Sequence, residues 1–218
     1  MSAAELSSED LRVALEQASL DMIRQKDILR DLDATIGDGD LGVTVELGCR
    51  AVADGLSALA DANISMLLTR SGMNFNRAAS STFGVLVTTA FLEAGKQVAG
   101  RKTIGLAELA KMVRAIADGI QRRGKAQVGD KTVLDAIVPA ALALEQASES
   151  GLPLEQALGA AVEAAQAGMR STIPLKSKYG RAAWFGEKSV GIQDPGATAV
   201  YLFAAPLVRH LRGRLSTR

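Results

Sequence analysis

The chain has 218 residues, 48% of them hydrophobic, with a formal net charge of +1. That length allows one large domain or two small ones, and the apolar share can fill a substantial core. Near-neutrality without a basic block argues against a nucleic-acid surface, and a single cysteine excludes an internal disulfide and the common zinc frameworks. Aromatic residues make up only 4% and alanine is abundant, which favours close-packed helices over a β-sandwich. No apolar run reaches the length of a membrane span. The opening stretch MSAAELSSEDLR lacks the apolar segment of a signal peptide. A soluble cytoplasmic protein is the expectation.

Ser7 and Asp10 have the spacing of a capping box and open a first helix. Leu11, Leu15, Ala18, Met22 and Leu29 form its apolar stripe. The helix is expected to end near residues 31–33 and to deliver the chain into LDATIGDGDLG, residues 32–42. Here Asp33, Asp38 and Asp40 are interleaved with Gly37, Gly39 and Gly42. Glycines permit a turn tight enough for side chains five and seven residues apart to converge. Converging carboxylates repel one another unless a cation sits among them, and oxygen-only ligands favour Mg²⁺ or Mn²⁺ over zinc. The three glycines also fit G-x-G-x-x-G, but that motif needs a preceding strand, and residues 20–32 read as helix. An EF-hand loop starting at Asp38 would need Glu where Cys49 stands; one starting at Asp33 would place Gly37 at its fifth, ligand-bearing position. The plain alternative is a polar turn in which Asp40 caps the next helix.

That second helix carries Val45, Leu47, Val52, Leu56 and Leu59 as apolar positions, with Cys49 a packed thiol within it. The carboxylate turn therefore lies at a helix N-terminus, where unpaired N–H groups favour anions, and Thr44 adds a hydroxyl. Residues 63–70 suggest a short helix and 71–82 a polar junction of small residues. Ser80, Ser81 and Thr82 then open a helix containing Phe83, Val87, Ala90, Phe91 and Ala94, with simple capping as their plain role. The clearest helical period spans 104–123, with Leu106, Leu109, Val113, Ile116 and Ile120; Gly124 suits the position just past its end. The connector GKAQVGDKT (124–132) leads into a helix with Leu134, Ile137, Val138 and Ala141, in which Pro139 predicts a kink. Gly151 ends it and Pro153 is expected as the first residue of the next, which carries Leu154, Leu158, Ala161, Val162, Ala165 and Met169. Residues 173–193 break the helical pattern, and a loop of that length in a compact domain is usually functional. Its Lys176, Lys178, Arg181 and Lys188 face only Glu187 in sequence and suit phosphate oxygens. Asp194-Pro195 then has the form of an N-cap and first helical residue for a last helix with Val200, Phe203, Leu207 and Leu211. His210 reads as a surface residue, not a catalytic base.

About seven long helices and one short one, joined by short connectors, predict a single all-α domain of antiparallel neighbours over residues 1–218. In such a bundle alternate junctions share an end. The aspartate turn, the Ser80–Thr82 step, the 124–132 connector and the 173–196 loop can then meet at one mouth. Carboxylates for metal with N–H, hydroxyl and cationic donors for phosphate suit a magnesium nucleotide. There is no G-x-x-x-x-G-K-[ST] loop and no protein-kinase signature.

LDATIGDGDLG (32–42), RGKAQVGDKT (123–132) and GRAAWFGEKSVGIQDPGA (180–197) resemble the nucleotide-binding L subunit of bacterial dihydroxyacetone kinases, over nearly the whole chain. The resemblance implies an eight-helix antiparallel up-and-down α-barrel whose rim holds ADP or ATP through two Mg²⁺ ions. It implies Asp33, Asp38 and Asp40 as metal ligands. Nucleotide contacts are implied for Leu41, Gly42, Val43, Thr44, Ser80, Ser81, Gly124, Thr132, Val133, Arg181, Asp194, Pro195 and Gly196. The family's substrate is a short keto sugar, dihydroxyacetone or one such as erythrulose, bound on a separate K-type subunit. A hetero-oligomer is implied, with a homodimer also compatible. The phosphate source is ATP or a phosphotransferase-system phosphoprotein that recharges bound ADP. Arg181 is the candidate for stabilising the transferring phosphoryl group; ground-state phosphate binding would use the same contacts. Where the family commonly shows His-Gly-x-Asn, this chain has Leu41-Gly42-Val43-Thr44, and the usual Gly-Pro after the serine is missing at Ser80. Two other readings of the same scaffold are the nucleotide domain of a fatty-acid kinase and a non-enzymatic α-barrel that binds a lipid or a regulator.

Overall fold

The computed structural model describes residues 4–216, so the first three residues of MSAAELSSEDLR lie outside the described residues. Nine α-helices are present among them: α1 (Ser8–Arg24), α2 (Lys26–Ile36), α3 (Leu41–Leu56), α4 (Ile64–Ala78), α5 (Thr82–Gln97), α6 (Leu106–Gly124), α7 (Leu134–Glu149), α8 (Leu154–Ser171) and α9 (Pro195–Ser216). Two 3-10 segments, Ser57–Leu59 and Arg181–Ser189, complete the helical content. Two-residue strands β1 (Leu6–Ser7) and β2 (Thr103–Ile104), which the sequence did not signal, pair antiparallel. The chain is all-α, as expected.

Eight helices pack in a closed circuit: α1 on α3, then α4, α5, α6, α7, α8 and α9 in succession, and α9 back on α1. This order is consistent with an eight-helix barrel. Helix α2 stands beside the circuit against α3. Packed neighbours joined by short connectors run antiparallel, so the N-termini of α3, α5, α7 and α9 lie at one end. The β1–β2 pair joins the starts of α1 and α6 at the other. No helix among the described residues is long and apolar enough to cross a membrane.

The capping box forms as read: the Asp10 N–H donates to Ser7 Oγ at 3.2 Å and the Ser7 N–H to Asp10 Oδ2 at 2.8 Å. The single first helix expected through residue 31 is instead two, broken at Gln25. No glycine or proline marks that break. It lets α2 fold back on α3, where Gly42 admits the backbone of α2: a Cβ there would stand 2.4 Å from the Lys26 carbonyl oxygen. The expected polar junction at 71–82 is also corrected, because α4 runs to Ala78. Its buried face includes Ser71 and Gly72 beside Phe75. Small residues hid the stripe, since a Cβ on Gly72 would lie 2.7 Å from Phe91 Cβ, and that close approach of α4 to α5 is what the glycine serves. Helix α7 continues through Pro139, and Pro153 caps α8 rather than starting it.

The main apolar cluster, from Leu6 to Leu211, draws on most of the circuit. A second cluster, Ala117, Ile120, Ala126, Val133, Leu134 and Ile137 with Phe83 and Val200 packed on it, ties together α5, α6, α7 and α9. Helices α7 and α8 approach closely at Gly168, where a Cβ would come within 1.9 Å of the Asp135 carbonyl oxygen. Alanine is the better helix former by about 1 kcal/mol, but the clash is with backbone and cannot be relieved by a rotamer. Gly168→Ala should therefore destabilise the protein by about 1–3 kcal/mol in urea unfolding. An unchanged midpoint would show the crossing to be looser than described.

Candidate metal centre

Asp33 lies in the last turn of α2, and Asp38 and Asp40 in the turn that follows. Gly39 adopts φ +76°, the left-handed region that a side chain rarely enters. A Cβ on Gly37 would sit 2.4 Å from Asp33 Oδ1, so the glycine is what lets the Asp33 carboxylate lie over the turn. One oxygen from each of the three carboxylates falls within 4.8 Å of the others, and among the described residues no second group of His, Cys, Asp or Glu does this. Asp33 Oδ2 also accepts from the Leu41 N–H at 3.2 Å. Asp40 occupies the N-cap position of α3 but makes no side-chain capping bond, which corrects the plain reading of that residue as a cap. Its carboxylate is directed to the cluster instead. Burial, and secondarily the charge of Asp33, raise the Asp40 carboxyl above its usual range.

A donor set of three carboxylates without sulfur or imidazole fits a hard divalent cation. The protein's own cation shows the demand. Arg181 reaches across from the 3-10 segment, donating to Asp40 Oδ2 at 3.0 Å and contacting Asp38. The aspartates and Arg181, separated by most of the chain, are thus brought together.

The other predicted residues gather at the same end. Ser81 caps α5 by accepting from the Gly84 N–H at 3.0 Å, with Ser80 exposed beside it. Gly124 is the last residue of α6, and Lys125, at φ 61°, takes the left-handed position expected of Gly124. Open space stands where a Gly124 Cβ would be. At the head of α7, buried Asp135 accepts from the Gly129 and Thr132 N–H groups at 2.7 Å each, and Thr132 Oγ1 from the Leu134 N–H at 3.2 Å. At the head of α9, Asp194 Oδ2 accepts from the Ala197 N–H at 2.7 Å, the cap predicted for it. The two heads touch: a Cβ on Gly196 would be 2.9 Å from Val133 Cγ1. Phe83, next to the Ser80–Thr82 step, packs on the cluster containing Ala126 and Val133. Leu41, Gly42 and Thr44 are buried in the first turn of α3, whereas Val43 is exposed.

The 173–193 loop is less free than its charge suggests. Lys176 pairs with Glu187 at 2.9 Å and Lys178 with Asp130 at 2.7 Å, leaving Arg181 as the loop cation placed on the aspartates. The residue that sequence reading missed is Lys131, with φ 63° and a side chain 1% exposed. Its ammonium donates to the carbonyls of Leu175 (2.9 Å), Ser189 (2.6 Å) and Ile192 (2.5 Å), all in that loop. Three donors meet three acceptors, so the buried charge is fully hydrogen-bonded. Desolvation still lowers the Lys131 pKa, with the nearby Asp194 opposing it. No periodicity marks such a lysine, and its partners lie 44 to 61 residues further along the chain.

Removing the ammonium would leave three buried carbonyls without a donor. Lys131→Met should cost about 2–4 kcal/mol in denaturant unfolding and open the 173–193 loop to protease before the helices. A loop that stays protected would contradict the clasp. Burial raises the Asp194 carboxyl from its ordinary 3.8 to about 7. The folded state then holds a proton that the unfolded chain has released, so stability from this group is complete below about pH 4 and is lost as pH rises through about 7. Asparagine still accepts the capping bond and does not titrate. Wild-type stability should fall by about 4 kcal/mol relative to Asp194→Asn between about pH 4 and about pH 8, followed by urea unfolding; parallel curves would refute the assignment.

The DAK2 domain model matches residues 35–209. The chain is 40% identical over 176 residues to the ADP-binding subunit DhaL of the PEP-dependent dihydroxyacetone kinase of Escherichia coli, covering 81% of this chain and 84% of that one. It is 35% identical over 191 residues to the corresponding subunit of kinase 2 of Listeria innocua, covering 87% and 88%. Among solved structures, the dihydroxyacetone kinase of C. freundii in complex with AMP-PNP and Mg²⁺ superposes with a TM-score of 0.69 at 26% identity. That match covers 95% of this chain but 35% of the other, so the chain spans about a third of that enzyme. With a matched domain model over most of its length and relatives of this identity, the chain belongs to the DAK2 domain family, among the L subunits of dihydroxyacetone kinases.

Proposed function

We propose that this chain is the nucleotide- and magnesium-binding subunit of a cytoplasmic kinase that phosphorylates dihydroxyacetone or a related short keto sugar held on a separate K-type subunit. The observation that carries the reading is the carboxylate trio, held within 4.8 Å at the end where four helices begin. Asp33, Asp38 and Asp40 would hold two Mg²⁺ ions, and the nucleotide would be ADP or ATP. When bound, the metal would neutralise phosphate charge and polarise the phosphoryl group to be transferred.

The protein's own groups do the rest. The N-termini of α3, α5, α7 and α9 present N–H groups and the positive ends of helix dipoles to anions at this end. In this reading Leu41–Thr44, Ser80 and Ser81, Gly124, Thr132 and Val133, and Asp194–Gly196 line the nucleotide. Each belongs to one of those four junctions, which supports treating them as one surface. Arg181 would leave the aspartates for the phosphates once cations replace it there; as a fixed positive charge at a polyphosphate it stabilises negative charge in the transferring group. The acceptor hydroxyl and the base that activates it belong to the partner. This chain's contribution is positioning and charge stabilisation.

Deletion of one ligand from a three-carboxylate site tests the reading directly. Asp38→Ala should weaken Mg²⁺-dependent ADP binding at least about 100-fold by calorimetry, more than the loss usual for residues that merely support a ligand, while the unfolding midpoint stays near that of wild type. Undiminished binding by the variant would remove the basis of the assignment.

A further inference from the structure

We propose that Trp184 is the anchor by which this chain docks the acceptor-holding K-type subunit over the aspartate turn. The inference rests on the kinase-subunit reading above. Trp184 is 84% exposed, the most exposed large apolar side chain described. It lies in the 3-10 segment Arg181–Ser189, three residues after Arg181. Residues three apart eclipse one another in such a helix, one turn or about 6 Å along the axis. Arg181 touches Asp38 and Asp40, so the indole springs from the same face of the segment, about one turn from the residue that lies on the carboxylates.

The base under the indole is fixed. Lys131 grips the loop at Leu175, Ser189 and Ile192, Lys176 pairs with Glu187, and the Tyr179 hydroxyl donates to the Lys125 carbonyl at 3.0 Å. A large side chain with few rotatable bonds, presented on a pinned segment, loses little freedom when it is covered, and this is what makes tryptophan a frequent interface anchor.

The occupant follows from the chemistry. Phosphoryl transfer needs the acceptor oxygen within about 3–3.5 Å of the phosphorus, so the surface that bears it must descend on this end. Two side chains that elsewhere serve as nucleophile or base are not at this mouth. His210 pairs with Asp21 at 2.9 Å on the α1–α9 seam, and the Cys49 thiol is buried and pushed up to about 12. In the C. freundii kinase the matched fold accounts for about a third of the chain, so most of that enzyme lies outside this unit. A surface that covers Arg181 comes within about one helical turn of the exposed Trp184.

The test compares wild type, Trp184→Ala and Trp184→Phe with a K-type subunit loaded with dihydroxyacetone. The proposal expects Trp184→Ala to raise the subunit concentration for half-maximal rate at least about tenfold, with kcat near wild type, partial recovery in Trp184→Phe, and an Mg²⁺–ADP dissociation constant within about twofold. An unchanged half-maximal concentration overturns the proposal. So does a loss that tracks weakened Mg²⁺–ADP binding, which would make Trp184 a stacking platform for the base. Wild-type protein that binds Mg²⁺–ADP but transfers nothing with the K-type subunit overturns the docking; wild-type protein that binds no Mg²⁺–ADP overturns the reading beneath it.

Discussion

Three like charges confined within 4.8 Å are the constraint around which this structure is arranged. Without compensation such a cluster would push its own turn apart, since like carboxylates at that separation disfavour joint ionisation. The chain answers locally, by directing the Leu41 N–H to Asp33, and at long range, by bringing Arg181 across from residue 181. The glycines at 37 and 39 give the turn its shape, and the surrounding helices give it a floor. Such a donor set fits a hard divalent cation, and the family to which the chain belongs includes proteins named for binding ADP.

The second organising element is polar and buried. Lys131, Asp135 and Asp194 lie beneath the connector and the long loop, each bonded to backbone. Breaking one member of a buried polar group leaves its partners unsatisfied, so such groups hold a unique arrangement more firmly than apolar contact alone. Here they fix the heads of α7 and α9 against each other, the place where nucleotide contacts are proposed. The apolar cluster around Phe83, Val133 and Val200 extends the same fixation to α5 and α6.

Much of this was legible in the sequence where side-chain chemistry and spacing coincide. The Ser7–Asp10 box, the Asp194 cap and the aspartate turn depend on contacts a few residues apart, and the structure holds each as spacing alone required. Legibility failed where tertiary contact decides. Nothing near Gln25 announces that the first helix must break for α2 to reach α3. Ser71 and Gly72 look like turn residues yet serve a close helix crossing. The lysines of the 173–193 loop look available for phosphate, but two of them are spent on Asp130 and Glu187, partners 48 and 11 residues away. Lys131 carries no signal in sequence, because a buried lysine is distinguished only by the carbonyls around it.

The shared orientation of α3, α5, α7 and α9 has a further consequence for how a polyanion finds this molecule. A net charge of +1 provides almost no long-range attraction. Helices α1, α4, α6 and α8 alternate with them and point the other way, so the axial dipoles largely cancel over the circuit, and what an anion meets at this rim is the local effect of first-turn N–H groups, which falls off within about one turn. With almost no net charge and no axial dipole acting at a distance, discrimination among anions at this rim is a matter of contact geometry rather than of long-range steering.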